Sequence, residues 1–535
     1  METREVMLPK LGTDGSPEPP NRRPAKSSVN KYLLRQTMTA LGPIISTISA
    51  GMTSGFSATL LPQLQLANST DANATTTTHL IDHFNMEELH ISSTSEESWI
   101  GASGALLMAP GCWLAGAMMD RFGRKTTFLV MSPVYFAAWL IVAFAPSVVW
   151  LIIGRLINGL CSGMNGPLGP VLIAETSEPR LRGILLAGIS LAIAIGILLS
   201  HLCSTWVHWR LSAVLCGLSP AICFILCAIA SETPTWLIKR NRSFEARKVW
   251  LYLRGEYCEE EFEALKTGGG NNAASDAGRG VEKSPDANPA ETDTKNHSAD
   301  QPSWRATLTS RGFLKPLLIL NIYFLTTQFS GVNAVAFYSV NMLDEVAGPE
   351  NAYTATLVLD VIRVIFSVIA CWMTRNYTRR LLTVVSGIGT ALSLILLSIF
   401  LVVDFGKPWL SVSFIYIYTC IVSIGLVPLP WLLCGELFPS RSRGIGSGLT
   451  SGFCFICFFV VVKTAPGMLE DLGPSWTFSF YGIVSLVGTI ILFVYLPETK
   501  DKTLQEIEGL FNAEKSKKVE KSIAVENAEK RSAVI

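Results

Sequence analysis

"AETSEPRLRG", residues 174–183, and "GELFPSRSRG", residues 435–444, decide the fold. Both read E-x-x-x-x-R-x-R-G. Glu175, Arg180, Arg182 and Gly183 return as Glu436, Arg441, Arg443 and Gly444, each displaced by 261 residues. Each copy follows a long apolar run. A charged motif that recurs at the same place in the hydropathy pattern indicates a chain built from two repeated halves.

Other motifs repeat with it. "DRFGRK" (120–125) has a degraded counterpart in "RNYTRR" (375–380), and "SETPTWL" (231–237) has one in "LPETKDKTL" (496–504). Between these motifs lie apolar runs, and a membrane span needs roughly 20 apolar residues. Twelve candidates fall near 38–61, 99–119, 126–146, 149–173, 184–204, 210–230, 314–341, 353–373, 380–403, 409–434, 444–465 and 475–496. Hydrophobic residues make up 49% of the chain and charged ones only 16%, against about 25% charged in soluble domains. The mean hydropathy is +0.38. The expectation is an all-α membrane protein of twelve transmembrane helices in two six-helix halves, 38–230 and 314–496. "GLVPLPW" (425–431) should break its helix locally, because two prolines remove backbone donors.

Loop charge sets the orientation. The loops after spans 2, 4, 8 and 10 carry Arg121, Arg124, Lys125, Arg180, Arg182, Arg375, Arg379, Arg380, Arg441 and Arg443. The other side carries Arg210, Lys407 and Lys463, and the loop 62–98 has no Lys or Arg. Both termini are therefore expected in the cytoplasm, as a tail over 1–37 and a tail over 497–535. The loop 62–98 then lies outside, and its sequons at Asn68 and Asn73 are expected to be glycosylated. The segment 231–313 separates the halves as a cytoplasmic loop. Its "SFEARKVWLYLRGEYCEEEFEALK" reads as short amphipathic helices. The Gly-, Asn- and Asp-rich remainder reads as disordered.

Several function classes fall away. A net charge of +1 gives no hint of nucleic-acid binding. No nucleophile–base set, phosphate loop or metal cluster is evident, so an enzyme, a cofactor and a metal are not expected. Cys454 and Cys457 form a C-x-x-C, but inside the apolar "GFCFICFFVVV" (452–462), and read as packing residues. The expected partners are the lipid bilayer and a small solute, and oligomeric state is not legible.

The acids beside the basic clusters suggest gate latches. Glu175 with Arg182, and Glu436 with Arg443, are expected to pair across the cytoplasmic ends of the two bundles. Asp120 and Arg124 of "DRFGRK", and Arg379 of "RNYTRR", belong to the same gating set.

At these motifs the chain resembles the sugar porter family of the major facilitator superfamily, over about residues 38–512. The resemblance rests on "DRFGRK", "GRLINGL" (154–160), the two E-x-x-x-x-R-x-R-G motifs, "ETPTWL", "QFSGVNAVAFYS" (328–339), "PLPWLLCGELFPS" (428–440) and "PETKDKTLQEIE" (497–508). "ESWIG" (97–101) and "FVVVKT" (459–464) look most like the insect facilitated trehalose transporter-like branch. The resemblance implies a plasma-membrane carrier whose halves rock about a central sugar site.

It also implies the site residues. The family's Q-Q-x-S-G-x-N becomes "TQFSGVN" (327–333), keeping Gln328 and Asn333 but placing Thr327 at the first amide. Amides suit sugars because they pair donors and acceptors with vicinal hydroxyls. Trp431 is the family's flat ring under a pyranose, and Tyr338 its outer-gate residue. Elsewhere the chain departs. Family amides fall at Ser190 and His201 in span 5, at Cys454 in span 11 and at Arg363 in span 8, and a family acid falls at Ser423. His201 reads as a satisfied residue near the end of its span.

Proton-coupled relatives carry an Asp in span 1. Here "AGMTSGF" (50–56) places Thr53 there, which favours facilitated diffusion. Arg155 of "GRLINGL" is then a structural or gating cation. In "LVLDVIRVIF" (357–366), Asp360 and Arg363 share a helix face three residues apart. An unpaired central charge costs about 2.5–3.5 kcal/mol on insertion scales, so an internal ion pair is expected. Two alternative readings are contact of Arg363 with an anionic substrate and proton coupling through Asp360. The leading reading is a facilitative carrier of trehalose or a hexose. The alternatives are a carrier of an anionic or other organic solute, and a non-transporting nutrient receptor.

Overall fold

The computed structural model describes residues 26–66, 89, 94–255, 262–263, 266, 308–348, 351–403, 408–438, 442–500, 507 and 511. In the first half these form α1 (Lys26–Leu66), α2 (Thr94–Leu106), α3 (Met108–Phe122), α4 (Arg124–Ala143), α5 (Val148–Thr176), α6 (Pro179–Trp206) and α7 (Trp209–Ile229). Two short helices follow, α8 (Pro234–Lys239) and α9 (Ser243–Arg254). The second half has α10 (Arg311–Gln328), α11 (Val332–Ala347), α12 (Ala352–Asn376), α13 (Arg379–Val403), α14 (Pro408–Ile424), α15 (Pro428–Leu437) and α16 (Arg443–Tyr495). Asn68, Asn73, most of the long first loop, the expected disordered segment and most of the C-terminal tail lie outside the described residues.

Eleven stretches among the described residues are long and apolar enough to cross a membrane. The last, Gly444–Tyr495, is one of them and holds two crossings. At 1.5 Å per residue it is roughly 78 Å long, more than twice a hydrocarbon core of about 30 Å. It turns at Gly473, whose φ of 77° is left-handed, with Pro474 next. The fold is thus the expected twelve-helix, two-half architecture.

Three spans are broken. Span 2 divides into α2 and α3 at Leu107, just before Pro110, which has no N–H for the preceding turn. Span 7 divides at Phe329–Gly331, where Gly331 takes φ 82°. Span 10 divides at Gly425–Val427, as the two prolines predict. Ser386 holds this last break by accepting from the Leu426 N–H at 3.0 Å and donating to the Ile421 carbonyl at 2.7 Å.

The first helix begins at Lys26 rather than near 38. Its extra turns are anchored on α9. Gln36 donates to the Leu253 carbonyl at 3.0 Å, and Arg35 donates to the Tyr252 carbonyl at 2.9 Å while stacking over the Tyr252 ring. No hydropathy pattern reports such a support.

Within the first half α1 crosses α6 very closely. Gly51 faces Gly196, and Gly55 faces Ser200 one turn on, a small-x-x-x-small pair on each helix. A methyl group on Gly51 would lie 2.3 Å from the Ile193 carbonyl oxygen, and one on Gly196 2.1 Å from that of Ile48. Small residues let membrane helices approach this far. The halves meet where α6 packs on α12, α1 on α11, and α2 and α3 on α16.

Candidate functional site

The loops rich in arginine define one face of the bundle, termed here the basic face. There each half carries the same clasp. Glu232, beyond α7, accepts the backbone N–H groups of Arg124 and Lys125 at 2.9 and 3.1 Å. Glu498, beyond α16, accepts those of Arg379 and Arg380 at 3.0 and 3.1 Å. Each carboxylate thereby caps a helix N-terminus, where free N–H groups and the helix dipole favour an anion. Burial alone would push the Glu498 carboxyl up, but its backbone donors outweigh that and hold it below the ordinary value.

The motif acids correct one expectation. Glu175 Oε1 accepts from Arg124 Nη2 at 2.8 Å, and Glu436 Oε1 from Arg379 Nη2 at 3.2 Å. Each pair lies inside one half instead of bridging the two. Arg182 reaches the Ser177 carbonyl at 3.4 Å. The Arg443 side chain lies outside the described residues. The reason is geometric. Arg124 and Arg379 open the helices next to their acids, whereas Arg182 lies beyond a turn on the following helix. Asp120 is exposed, and its carbonyl accepts from Trp236 and Arg240. Open space flanks Gly183, Gly435 and Gly448 on this side among the described residues.

The opposite face is closed. Tyr338 is buried, donates to the Val462 carbonyl at 3.1 Å, and presses on Gly101 of the first half. Lys463 donates to Ser98 and lies 4.2 Å from the Trp99 ring centroid. Arg155 is buried and donates to the Ile100 carbonyl at 2.7 Å, the Gly101 carbonyl at 3.3 Å and the Ser57 hydroxyl. It thus ties α5 to α1 and α2.

Between the faces, the break at Phe329–Gly331 puts Gln328 and Asn333 side by side. Asn333 Nδ2 donates to Gln328 Oε1, and Gln328 Nε2 donates to Cys454 Sγ at 3.0 Å. The neighbour of Gln328 is thus a thiol, at the position where the resemblance places an amide. Thr327 turns elsewhere and donates to the Leu426 carbonyl at 2.8 Å, in the break of span 10. Trp431 is 37% exposed, the highest value among the expected binding residues, and its ring meets Phe324 edge-on at 5.0 Å. Ser190 is half-buried on α6. Ser423 donates to the Thr419 carbonyl of its own helix. Thr53 is buried, 2.6 Å from the Tyr135 hydroxyl, and donates to the Ser49 carbonyl at 3.0 Å.

Asp360 and Arg363 form the expected pair, Nη1 to Oδ1 at 2.9 Å, with Asp360 fully buried. One partner was not foreseen. His201 of α6 is also fully buried, and its Nδ1 meets Asp360 Oδ2. Its Nε2 lies 2.8 Å from the Gly55 carbonyl oxygen. A histidine in one half and an acid in the other, both inside apolar runs, were the available signal. Only the packing of α6 on α12 joins them.

A family model described as "Sugar (and other) transporter" matches residues 39–511. The facilitated trehalose transporter Tret1 of Anopheles gambiae is 27% identical over 516 residues, covering 95% of this chain but 60% of the mosquito protein. That of Polypedilum vanderplanki is 28% identical over 507 residues, covering 93% and 92%. Among solved structures, the proton:xylose symporter XylE bound to 6-bromo-6-deoxy-D-glucose superposes with a TM-score of 0.68 at 18% identity, covering 90% of this chain and 99% of that one. At that identity the likeness concerns the fold.

Proposed function

Because the chain belongs to the sugar transporter family of the major facilitator superfamily, we propose that it moves trehalose or a hexose by facilitated diffusion, with its two halves alternately opening the central site to either side. The observation that carries this reading is the amide pair of Gln328 and Asn333, set at a helix break, with the half-exposed Trp431 packed on Phe324 of the helix that carries Gln328. Two amides and a flat ring match a sugar, whose hydroxyls need paired donors and acceptors and whose C–H face stacks on an indole. The contacts of Tyr338 with Gly101 and of Lys463 with Ser98 make the state closed on the face opposite the basic loops.

Uniport is supported by Thr53, a buried hydroxyl committed to Tyr135 and Ser49 where coupled relatives carry an acid. Within this reading the basic face is cytoplasmic, the membrane is the plasma membrane, and Asn68 and Asn73 are glycosylated outside. Gln328, Asn333, Trp431, Thr327, Arg363 and Ser190 line or support the solute path. Asp120, Arg124, Arg155, Glu175, Arg182, Tyr338, Arg379, Glu436 and Arg443 hold the gates.

Reconstitution in liposomes tests the proposal. Labelled trehalose, glucose and small carboxylates are offered with and without a proton gradient. Saturable sugar entry that stops at equilibrium, gradient or not, is expected. Carboxylate flux without sugar flux would reassign the solute. Ligand binding without any flux would make the protein a receptor.

A further inference from the structure

The contact between His201 and Asp360 joins the halves, and its hydrogen bonds fix a proton count. Nε2 of His201 faces the Gly55 carbonyl oxygen at 2.8 Å. A carbonyl only accepts, so Nε2 carries a hydrogen. Nδ1 faces Asp360 Oδ2. A bare Nδ1 against a bare carboxylate would set two acceptors together in a dry site, which burial makes costly. A second proton therefore lies between Nδ1 and Oδ2, whichever atom holds it. With Arg363 on Oδ1, the three side chains carry one net positive charge.

The site is also placed to open. His201 lies five residues before Trp206, the end of α6 on the face opposite the basic loops. Asp360 lies eight residues after Ala352, the start of α12 on that same face. When the halves part there, Asp360 keeps Arg363, because both stand on one helix. His201 keeps only partners within its own half. It becomes an imidazole meeting water, free to give up the second proton that the closed geometry requires.

We propose that His201 and Asp360 form a proton-binding site between the halves, filled when the face opposite the basic loops is closed and emptied to that side when it opens. The proton leaves Nδ1 for water on opening and returns from the same side on closing. Its path begins and ends on one face, so it tunes the conformational equilibrium without crossing with the solute.

Neighbouring groups among the described residues do not provide the titration. From α5, Arg155 is bound to Ile100, Gly101 and Ser57. From α7, Arg210 is bound to the carbonyls of Ala143 and Ala145 at 3.1 and 3.0 Å. His208, just before α7, is driven down to about 4 by burial and by Arg210, so it stays neutral near pH 7. Around Gly55, α1 contributes Thr53, Ser57 and Thr59, which do not titrate. Tyr338 of α11 and Tyr416 and Tyr418 of α14 are phenols, and Cys203 of α6 and Cys216 of α7 are thiols. Their ordinary values lie near or above ~8.5.

This inference rests on the alternating-access reading above. Its test needs no solute, so it fails or survives apart from the solute's identity. Full-length protein in nanodiscs carries spin labels on ketone-bearing residues placed at the exposed positions 206 and 409, on the two halves. Distances are read between pH 8.5 and pH 5.5. The ratio of short to long distances should rise as pH falls, by up to tenfold per pH unit, because the closed state holds one more proton. His201→Gln and Asp360→Asn should each abolish the slope, and either folded variant suffices. A wild-type ratio indifferent to pH, or a slope that survives both substitutions, would overturn the site. Sugar driven above equilibrium by a proton gradient would show the proton crossing, and would overturn its one-sided path.

Discussion

Arg124 Nη2 stands 2.8 Å from Glu175 Oε1, and the two side chains are only 6% and 16% exposed. The second half repeats the pair as Arg379 and Glu436. Removing one member of a well-buried ion pair costs about 3–5 kcal/mol, because the other charge stays buried without its partner. Arg124→Gln should therefore lower the thermal unfolding midpoint clearly, near the low end of that range. Arg124→Gln with Glu175→Gln should cost less than Arg124→Gln alone. A double mutant as unstable as the sum of the singles would show that the pair is not coupled.

The Glu498 cap has a pH signature. Its carboxyl lies below the ordinary value in the folded protein. A depressed value contributes stability that is complete above about 4.3 and is lost as pH falls through the folded-state value. Wild-type protein should thus lose more melting temperature between pH 6 and pH 3.5 than Glu498→Gln. Parallel pH profiles for the two proteins would refute the cap.

Gly101 leaves room for the Tyr338 phenol. A methyl group there would lie 2.2 Å from the hydroxyl oxygen and 3.0 Å from the ring carbon that bears it. Gly101→Ala should hold the halves apart at this face and cut sugar flux several-fold. Tyr338→Phe removes the clashing oxygen, so the double variant should recover part of the loss. Equal flux in Gly101→Ala and wild type would mean that this contact does not limit closure.

Gln328 and Thr327 are adjacent in sequence but oriented differently. Gln328 stands with Asn333, while Thr327 is committed to the Leu426 carbonyl. Gln328→Ala should raise the KM for sugar by roughly five-fold or more, the loss of a hydrogen bond worth about 1–3 kcal/mol. Thr327→Ala should leave KM within about two-fold and lower stability instead. Initial-rate kinetics and melting curves on the same preparations separate the two outcomes.

Much of this architecture was legible along the chain. Apolar length, the 261-residue repeat and the two prolines in "GLVPLPW" lead to the spans, the halves and one helix break. Local rules suffice there, since a bilayer imposes a length and proline removes a donor wherever it stands. The Asp360–Arg363 pair was legible too, because three residues on a helix place both groups on one face.

The partners of Glu175 and Glu436 were not. Arg182 and Arg443 are nearer in sequence, but the acids take up Arg124 and Arg379 from neighbouring helices. Sequence proximity does not predict contact once the chain turns between two helices. Thr327 was expected at the solute, yet its hydroxyl serves a carbonyl freed at a break in another span.

The sequence by itself determined the class: twelve crossings, two halves, charged loops on one face and an amide motif in span 7. The reason is that hydropathy, charge and backbone chemistry act locally. The tertiary structure alone decided that His201 meets Asp360. That contact depends on α1 and α6 approaching through Gly51, Gly55 and Gly196, and on α6 lying against α12. A residue from each half must arrive at one buried point, where a carbonyl, a carboxylate and an imidazole can share their protons.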